Sequence, residues 1–384
     1  MESPVYIASF GAFSPLGNHP KQVWKQYLSD ESLLGEKNIS GKKEIVGALS
    51  SELQQIKNEL KVSNGNYSKL DDSVLYAILA SRKAVKNSGW DSTDFGINIG
   101  SSRGATKLFE QSHQEFINTG KTPVLTSPTT TLGNISYWVA QDLKAQGPEI
   151  SHSITCSTSF HAILNGIAWI NSGMSERFLV GGSEAPLTGF TIAQMKALKI
   201  YASQFDVYPC RSLDLHKTKN TMVLGEGASV VCLDKNKTET TLAKISGIGY
   251  ATETLSHGIS ITENAECLQK SMQMALQNTD YSSVDVVIMH APGTIKGDLS
   301  EYRAIQKVFA ENIPLLTTNK WKIGHTLGAS GTMSLELALL MLEHQKFIGV
   351  PFTPYTSSEK QINKILINAV GFGSNAVSIL VEKV

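Results

Sequence analysis

A cysteine, Cys156, lies between an apolar strand-like run and the start of a helical pattern in the stretch SHSITCSTSFHAI. It is followed by Ser157, Thr158 and Ser159, which are typical of a helix N-cap and first turn. The amide N–H groups and the dipole of a helix N-terminus favour an anion, so we expect the pKa of this thiol to fall below its ordinary value of about 8.5. The pattern predicts a nucleophilic thiolate. The alternative is a buried cysteine with a structural role.

Two histidines in the second half of the chain follow strand-like runs. His290 ends the run VVIMH, and His325 lies in a glycine-flanked loop, KIGHTLGASG, just before a helical pattern. One cysteine with two loop histidines fits a hydrolase, an acyltransferase or a condensing enzyme that uses a covalent intermediate. Their spacing in the sequence does not choose among these three classes.

The elements that must position these residues alternate between strand-like runs and helical patterns, which is typical of an α/β protein. The strand candidates are rich in β-branched and aromatic residues: VYIASF, FGINIG, RFLVGGS, ASVVCL, DVVIMH, IPLLTT and AVSILV. The clearest helix candidate is DDSVLYAILASRKAVKNSG, in which Gly89 supplies the C-terminal stop.

Two segments share one order of features: TCSTSFHAILNGIAWINSGMSERFLVGG and GHTLGASGTMSLELALLMLEHQKFIGVP. Each runs from a reactive residue type, Cys156 or His325, through small residues into an apolar helix, a polar turn and a strand. The repeat predicts two similar α/β halves, residues 1–240 with the cysteine and residues 241–384 with the two histidines. Equivalent helix N-termini would then meet at a shared centre.

The composition excludes several classes of protein. With 34 basic and 34 acidic residues among 384, the chain has no net field that would favour nucleic acid or an anionic membrane. Its four cysteines are widely spaced, which favours a reduced, cytoplasmic setting. There is no leader pattern and no apolar run of roughly 18 to 20 residues, so we expect a soluble protein without a membrane span. No metal-ligand spacing and no dinucleotide-binding glycine motif occurs.

Six short motifs occur in a characteristic order along the chain. They are FGAFSPLGN near the N-terminus, CSTS from Cys156, GGSEA from Gly181, RSLD from Arg211 followed by GEGA from Gly225, His290 with Asp298 and Glu301, and Lys320 with GHTLGA. In this order, and with the terminal GFGSNA, they resemble the β-ketoacyl-acyl carrier protein synthases of the elongating type. The resemblance covers nearly the whole chain. It implies the thiolase fold, with two α/β halves related by pseudo-two-fold symmetry in layers α-β-α-β-α.

The resemblance also implies a decarboxylative Claisen condensation. Cys156 would take an acyl group from a carrier protein by thioester exchange, while His290 and His325 would donate from Nε2 to the carbonyl oxygen of a malonyl thioester. The enolate formed on loss of carbon dioxide would attack the acyl thioester. Such donors must be neutral, and each is typically worth about 3 to 4 kcal/mol. No metal or cofactor is implied, since both substrates are carried on the phosphopantetheine of acyl carrier protein.

A buried ionic group carries over from the same resemblance. Lys320, Asp298, Glu301 and Glu226 are its members. They would orient His325 and the loop around it, because an isolated buried lysine is too costly to leave unpaired. Their removal should impair catalysis.

The substrate-binding residues implied are Phe372, as a gate to the acyl pocket, with Thr294, Gly373 and Ser374. The family usually has G-T-x-T after its first histidine, whereas this chain reads APGT and keeps only Thr294. The closing loop, GFGSN, is one residue shorter than the family's GFGGTN. Arg103, in GSSRGAT, replaces an apolar residue near the end of the acyl pocket. It either lines that pocket, favouring short, polar or polyene-type substrates, or is paired at a subunit interface.

The resemblance implies acyl carrier protein as a partner, docked on basic residues. Candidates for the docking surface are Lys61, Lys69, Lys217 and Lys219. A homodimer is implied, or a heterodimer with a related subunit that lacks the cysteine. The altered loop after the first histidine, Arg103 and the short chain favour a specialised pathway, such as an aryl polyene, a flexirubin-like pigment or a polyketide, over primary fatty-acid synthesis.

Two other functions stay open on the sequence. One is a non-catalytic chain-length or scaffold subunit, against which the retention of Cys156 and both histidines argues. The other is a thiolase, which expects a second cysteine near the C-terminus, whereas the last cysteine here is Cys267.

Overall fold

The computed structural model of the chain describes residues 4–132, 134–254, 261–355 and 360–384. Its strands are β1 Val5–Phe13, β2 Gly35–Ile39, β3 Lys42–Gly47, β4 Gly96–Gly100, β5 Glu149–Ile150, β6 Arg177–Glu184, β7 Leu224–Gly225, β8 Gly227–Asp234, β9 Ala243–Ala251, β10 Val286–Ile288, β11 Leu315–Thr317, β12 Lys364–Gly371 and β13 Asn375–Glu382. Its α-helices are α1 Pro20–Tyr27, α2 Ser51–Ser63, α3 Asp72–Asn87, α4 Thr106–Thr119, α5 Thr126–Thr130, α6 Asn134–Leu143, α7 Thr158–Asn171, α8 Gly189–Ala197, α9 Glu266–Ala275, α10 Ile295–Phe309, α11 Lys320–Ile323 and α12 Ser330–His344.

Ten strands form one sheet in the order β11-β10-β12-β13-β9-β1-β8-β6-β4-β5. Outward from the central contact between β1 and β9, the first half runs β1, β8, β6, β4, β5 and the second runs β9, β13, β12, β10, β11. In each half the first two pairings are antiparallel and the next two are parallel. The two halves are therefore equivalent strand for strand, which is the pseudo-two-fold relation expected from the sequence.

Helices pack on the outer face of each half of this sheet, and two more helices lie between the halves. In the first half α3 packs on β1, β8 and β6, and α6 packs on β4; in the second half α9 packs on β9 and β13. Helices α7 and α12 lie between the halves, since α7 contacts β6 and β13 while α12 contacts β12 and β8. This is the α-β-α-β-α layering of the thiolase fold. Strands β2, β3 and β7 form a separate three-stranded sheet.

The N-termini of the two central helices meet. The backbone N–H of Thr332 in α12 donates to the Ser159 hydroxyl in α7 at 3.1 Å, and the Ser330 hydroxyl donates to the Cys156 carbonyl at 3.2 Å. Gly331 permits this approach, because a Cβ there would lie 2.8 Å from the Ser159 hydroxyl. The shared centre predicted from the repeated segments is therefore present.

The seven strand candidates are all strands, and the predicted helix with its stop at Gly89 is α3. The strand predicted directly after α12, in FIGVP, is wrong. There the Ile348 carbonyl accepts from the Thr317 hydroxyl at 2.6 Å and the Val350 N–H donates to the Tyr355 carbonyl at 3.0 Å, so a loop uses these backbone groups. The next strand, β12, begins at Lys364. Among the described residues, no helix combines the length and apolar character that crossing a membrane requires.

Candidate active site

A tight turn places Cys156 directly before α7. The Ile154 N–H donates to the Thr158 hydroxyl at 2.8 Å, which in turn donates to the Thr155 carbonyl at 2.6 Å. Thr155 adopts a left-handed backbone with φ of 47°. Ser157 occupies the N-cap position, as predicted, but its hydroxyl donates to the Ile154 carbonyl at 3.0 Å and does not cap the helix. The sulfur therefore lies at the helix N-terminus, in a position fixed by its neighbours.

Cys156, His290 and His325 line one cavity of about 310 Å³. Its wall is mostly apolar and includes Met195, Ile200, Met222, Ile261, Pro292, Leu327, Val370 and Phe372. All three of these side chains are buried. The structure therefore brings together residues that are far apart in the sequence, at the point where the two halves of the fold meet.

The two imidazoles face each other nearly at right angles, with ring centroids 5.1 Å apart and an angle of 83° between the planes. The backbone N–H of His290 donates to the Glu301 carboxylate at 2.8 Å, and the backbone N–H of His325 donates to the Val223 carbonyl at 2.7 Å. The Nδ1 atom of His325 is buried and has no hydrogen-bond partner among the described residues. These bonds hold the backbone that carries each ring, and they leave Nδ1 of His325 without a partner among the described residues.

Both histidines are neutral at physiological pH. Burial and then the positive charge of Lys320 hold the pKa of His325 well below 6.5. The same two causes, with a contribution from His325, lower the pKa of His290. A neutral imidazole carries one N–H and one lone pair, so each ring can donate a hydrogen bond to an oxygen in the cavity.

The expectation of a lowered thiol pKa is wrong for the protein in this state. Burial raises the pKa of Cys156 to about 12, the charge of Glu184 adds to this effect, and the charges of Lys320 and Arg103 oppose it. Desolvation of the sulfur outweighs the two cations because the cysteine is only 7% exposed. The resting thiol is protonated.

Lys320 lies buried at the start of α11. Burial lowers its pKa, and the negative charge of Glu301 offsets part of that effect. Burial raises the pKa of Glu301, opposed by hydrogen bonds from the N–H groups of Ala291 and His290. The Lys320 charge acts on Cys156 and on both histidines, so this lysine contributes to the electrostatic field at all three groups.

Glu301 and Asp298 hold the loop that carries His290, whereas we expected them to orient His325. Glu301 accepts from the N–H groups of His290 and Ala291, both at 2.8 Å. Asp298 accepts from the Gly293 N–H at 3.0 Å and from the Lys217 ammonium at 2.6 Å. Both carboxylates lie on α10, which follows this loop directly. They are therefore close enough to accept hydrogen bonds from the backbone of the loop.

Glu226 does not reach His325, which corrects a second part of the expected ionic group. Its carboxylate accepts from the Leu49 N–H at 3.0 Å and from the Tyr76 hydroxyl at 2.9 Å, on the side of α2 and α3. Its neighbour Gly225 donates its N–H to the His325 carbonyl at 3.0 Å. The GEGA stretch thus contacts the His325 loop through its backbone and not through its carboxylate.

The predicted gate, Phe372, lies in the turn between β12 and β13, lines the cavity and is 37% exposed. The turn packs on the backbone of Cys156: a Cβ at Gly371 would lie 3.0 Å from the Cys156 backbone nitrogen. Gly373 and Ser374 complete the turn with positive φ, but they are not among the described residues that line the cavity. Thr294 lines the cavity, and its hydroxyl accepts from the Gly297 N–H at 3.1 Å.

Arg103 lies on the loop after β4. It is not among the described residues that line the Cys156 cavity; it lines a neighbouring groove together with Phe109 and Phe190. Its guanidinium donates to the Gln194 side-chain oxygen. Gln194 precedes Met195, which does line the cavity.

One of the lysines predicted to dock a carrier protein is buried. The Lys217 side chain is 4% exposed because its ammonium is paired with Asp298. Lys69 and Lys219 are exposed, while the Lys61 ammonium lies 3.8 Å from Asp72 and its side chain is 34% exposed. Lys217 is therefore excluded from the docking surface.

Glu184, a member of the GGSEA motif, was not predicted to belong to the site. This residue ends β6 and is fully buried. One carboxylate oxygen accepts from the N–H groups of Ser102 and Gly328, and the other has no partner among the described residues. Burial raises the pKa of Glu184 to about 7. A carboxyl group at the end of a run of buried residues, RFLVGGSE, was the available signal.

The family model "Beta-ketoacyl synthase, N-terminal domain" matches residues 2–239, and "Beta-ketoacyl synthase, C-terminal domain" matches residues 242–351. Over 415 aligned residues the chain is 26% identical to the 3-oxoacyl-acyl-carrier-protein synthase 2 of Staphylococcus aureus (strain N315), an alignment that covers 99% of this chain and 98% of that protein.

Solved structures share the fold. A type II polyketide synthase acyl-carrier protein in complex with its ketosynthase bound to the hexaketide gives a TM-score of 0.86 at 18% identity, with all of both chains covered. A ketosynthase in complex with its chain length factor from Xenorhabdus doucetiae gives 0.80 at 19% identity, covering 100% of this chain and 98% of that one. Because the family models match both parts of the chain, this chain belongs to the β-ketoacyl synthase family.

Proposed function

We propose that this protein is a 3-oxoacyl-acyl carrier protein synthase that joins an acyl group held on Cys156 to a malonyl group carried by acyl carrier protein. The observation that carries the proposal is that Cys156, His290 and His325 line one cavity. A non-catalytic chain-length subunit would need none of these three groups at one point, and we therefore place it second.

In the first half-reaction, Cys156 attacks the thioester of an acyl-carrier protein. The new bond joins the cysteine sulfur to the acyl carbon, the bond to the pantetheine sulfur breaks, and the proton of Cys156 ends on the departing thiol. Because burial keeps the Cys156 thiol protonated, the proton must leave as the new bond forms. A neutral imidazole in the same cavity is a suitable carrier for it.

In the second half-reaction, the malonyl carboxylate leaves as carbon dioxide and its electron pair forms an enolate at the thioester carbonyl. Neutral His290 and His325 donate to that oxygen. The enolate carbon then attacks the Cys156 thioester, giving a 3-oxoacyl-carrier protein and a cysteine thiolate that takes up a proton. A donor placed in this way typically contributes about 3 to 4 kcal/mol to the transition state, because a dry cavity strengthens its hydrogen bond. Both substrates arrive on phosphopantetheine, so the reaction asks for no metal or other cofactor on this chain.

A basic groove next to the cavity supports acyl carrier protein as the partner. The groove has a volume of about 660 Å³ and shares Asn220 with the cavity. Four lysines line it: Lys43, Lys196, Lys199 and Lys219. Glu36 and Glu44 also line the groove and pair with Lys43 at 3.9 Å and with Lys196 at 2.5 Å. The exposed Lys199 and Lys219 are therefore the members we assign to an acidic carrier surface.

An exposed apolar surface supports pairing with a second subunit. It is formed by the side chains of Phe109, Phe116, Ile117, Val124, Leu125, Leu132 and Tyr137, on α4, α5 and α6 and the loops beside them. An apolar surface of this kind is unusual on a monomer. We propose that a second copy of this chain, or a related subunit without the cysteine, covers it.

The four cysteines are free thiols, in keeping with a cytoplasmic location.

The altered loop after His290, which reads APGT, leads us to favour a specialised pathway of polyene or polyketide type over primary fatty-acid synthesis. Arg103 does not line the Cys156 cavity and donates to Gln194, so it adds no argument about the acyl chain held there.

The test is to incubate the protein with a panel of acyl-carrier proteins and malonyl-carrier protein, and to follow intact protein and products by mass spectrometry. We expect an acyl adduct on the wild type and on Cys232→Ala, a matched variant of a buried cysteine in β8, but none on Cys156→Ala. The 3-oxoacyl product should require Cys156. A wild-type protein that is never acylated, or a Cys156→Ala variant that still makes product, would overturn the proposal in favour of a binding role.

A further inference from the structure

Lys296 is an exposed cation on the wall of the cavity that contains Cys156. Among the described residues, its ammonium has neither an ion pair nor a hydrogen bond. The residues one helical turn further along α10 are Leu299 and Ser300, which carry no charge and supply no counter-ion. This lysine can therefore bind an anionic group of whatever enters the cavity.

The position of Lys296 within α10 gives no structural reason for a lysine. It is the second residue of the helix, where the helix dipole disfavours a positive charge. The acidic residue of this first turn, Asp298, is already paired with Lys217. The next backbone N–H, that of Gly297, donates to the Thr294 hydroxyl at 3.1 Å. The ammonium and the positive end of the helix thus add to each other beside the cavity.

Asn220 marks the place where the cavity meets the basic groove, because it lines both. Its side-chain oxygen accepts from the N–H of Ile295, directly before Lys296, at 2.9 Å. Its side-chain nitrogen donates to the Lys199 carbonyl, also at 2.9 Å. Lys199 and Lys219 belong to the groove that we assign to the carrier protein. Lys296 therefore lies on the cavity side of the junction between groove and cavity.

The arm of a carrier-bound substrate has its negative charge at the corresponding point. Phosphopantetheine is joined to the carrier protein through its phosphate, and the rest of the arm, up to the thioester, is uncharged. With the carrier in the groove and the thioester at Cys156, the phosphate lies at the entrance to the cavity. The malonyl carboxylate is the other anion of the reaction, but it must lie beside His290 and His325, which are buried, whereas Lys296 is exposed.

We propose that Lys296 binds the phosphate of the phosphopantetheine arm at the entrance to the cavity. This inference rests on the proposed function and adds a substrate-binding residue to it. An ammonium is a suitable ligand because it presents a compact positive charge and three hydrogen-bond donors to the phosphate oxygens. The phosphate does not change during the reaction, so the contact should lower KM and leave kcat unaltered.

The test compares acylation of Cys156 by an acyl-phosphopantetheine and by the acyl-pantetheine that lacks only the phosphate. We expect the wild type to prefer the phosphorylated substrate by about threefold to fivefold in kcat/KM, through KM, which is what an exposed ion pair can supply. Lys296→Met should bring this ratio close to one, and Lys296→Arg should keep most of it. Lys307→Met, at an exposed lysine in the last turn of the same helix, should leave the ratio at the wild-type value.

Lys219→Met separates the arm from the carrier surface. It should raise KM for acyl-carrier protein and leave the ratio for the two truncated substrates unchanged, because Lys219 lines the groove and not the cavity. An equal loss of the ratio in Lys219→Met and Lys296→Met would assign the effect to the overall charge of this face and overturn the proposed contact.

The remaining outcomes distinguish this inference from the proposed function. If neither truncated substrate reacts, a rise of about threefold to fivefold in KM for acyl-carrier protein in Lys296→Met, at wild-type kcat, supports the contact, and an unchanged KM disproves it. A wild type that is acylated equally fast with and without the phosphate disproves the contact while the proposed function stands. Should no substrate acylate Cys156, the proposed function fails and this inference fails with it.

Discussion

The ammonium of Lys217 and the carboxylate of Asp298 form an ion pair of 2.6 Å in which the side chains are 4% and 0% exposed. Asp298 also accepts from the backbone N–H of Leu213 at 2.9 Å and from that of Gly293 at 3.0 Å. The pair therefore fastens the loop that follows His290 to a segment about eighty residues earlier in the chain. This buried pair is structural support for one of the two imidazoles.

Removing the cation should destabilise the protein markedly. In Lys217→Met the Asp298 carboxylate stays buried without its counter-ion, and breaking a buried pair in this way typically costs about 3 to 5 kcal/mol. The free energy of unfolding measured with urea should fall by that amount. Lys219→Met, a change at an exposed lysine two residues away, should stay within about 0.5 kcal/mol of the wild type. Similar, small effects for the two variants would show that the pair does not support the fold.

Glu301 should position His290 without taking part in the chemistry. In Glu301→Gln one carboxylate oxygen becomes an NH₂ group that faces a backbone N–H of His290 or Ala291, so the loop must shift. We expect decarboxylation of malonyl-carrier protein to fall by about 10² to 10³, the usual loss for one donor to a developing oxyanion. Acylation of Cys156 should fall much less, because it does not need the two-donor site. Both steps can be followed separately by mass spectrometry.

The control for this variant is Glu311→Gln, at an exposed position after α10. It should leave both steps at wild-type rates. Equal losses in acylation and decarboxylation by Glu301→Gln would mean that the carboxylate supports the whole cavity and not the His290 loop in particular.

Much of this site could be predicted from the sequence, because local patterns indicate the strand ends and helix starts at which its residues lie. Continuous apolar runs such as VVIMH are typical of parallel strands buried on both faces, and they place His290 at a strand end. The small residues before α7 and α12 indicated two helix N-termini at one centre. By contrast, Glu226 was assigned wrongly. The neighbouring Gly225 bonds the His325 loop through its backbone, but Glu226 lies between β7 and β8, and its carboxylate turns to the Tyr76 hydroxyl and the Leu49 N–H.

Other features depend on contacts between distant parts of the chain, which periodicity cannot supply. The pairing of Lys217 with Asp298 joins an irregular segment to the first turn of α10, about eighty residues later in the chain. The thiol pKa of Cys156 depends on its burial, and the turn at Gly371 and the start of α12 provide much of the cover. A helix N-terminus can be predicted locally, but the desolvation that raises the thiol pKa here requires the complete fold.

The histidines should remain active donors below their ordinary pKa. Because burial and the charge of Lys320 hold the pKa of His325 well below 6.5, the imidazole stays neutral as the pH falls through 6.5. The acid limb of the rate of malonyl-carrier decarboxylation should therefore lie well below pH 6.5. Lys320→Met removes a positive charge that disfavours the protonated imidazole, so the limb should move upward, towards 6.5. The position of the limb, and not the rate, is the readout.

Lys322→Met is the matched control for this shift. Lys322 is a second buried lysine of α11, but its ammonium donates to the Ser29 carbonyl at 2.6 Å and the Glu31 carbonyl at 2.7 Å. Its loss should lower stability and leave the acid limb in place. A wild-type limb already at pH 6.5, or identical limbs for wild type and Lys320→Met, would contradict the assignment of Lys320 as a contributor to the field at His325.

Glu336 should make the stability of the protein depend on pH. It lies within α12, and both of its carboxylate oxygens are buried without a partner among the described residues. Burial raises its pKa from 4.5 to about 8, and the charge of Lys83 opposes this shift. Between these two values the native state keeps a proton that the unfolded chain has lost. The free energy of unfolding due to this group is therefore highest below pH 4.5 and falls by about 1.4 kcal/mol per pH unit as the pH rises towards 8.

Glu336→Gln tests this dependence because the amide has nearly the same shape and never ionises. Relative to the wild type, the variant should gain stability steadily between pH 5 and pH 8, by up to about 1.4 kcal/mol per pH unit. Glu343→Gln, on an exposed position of the same helix, should show no such trend. Urea unfolding at a series of pH values measures both differences. A constant difference between Glu336→Gln and the wild type across this range would mean that Glu336 is ionised in the native protein and has a compensating partner.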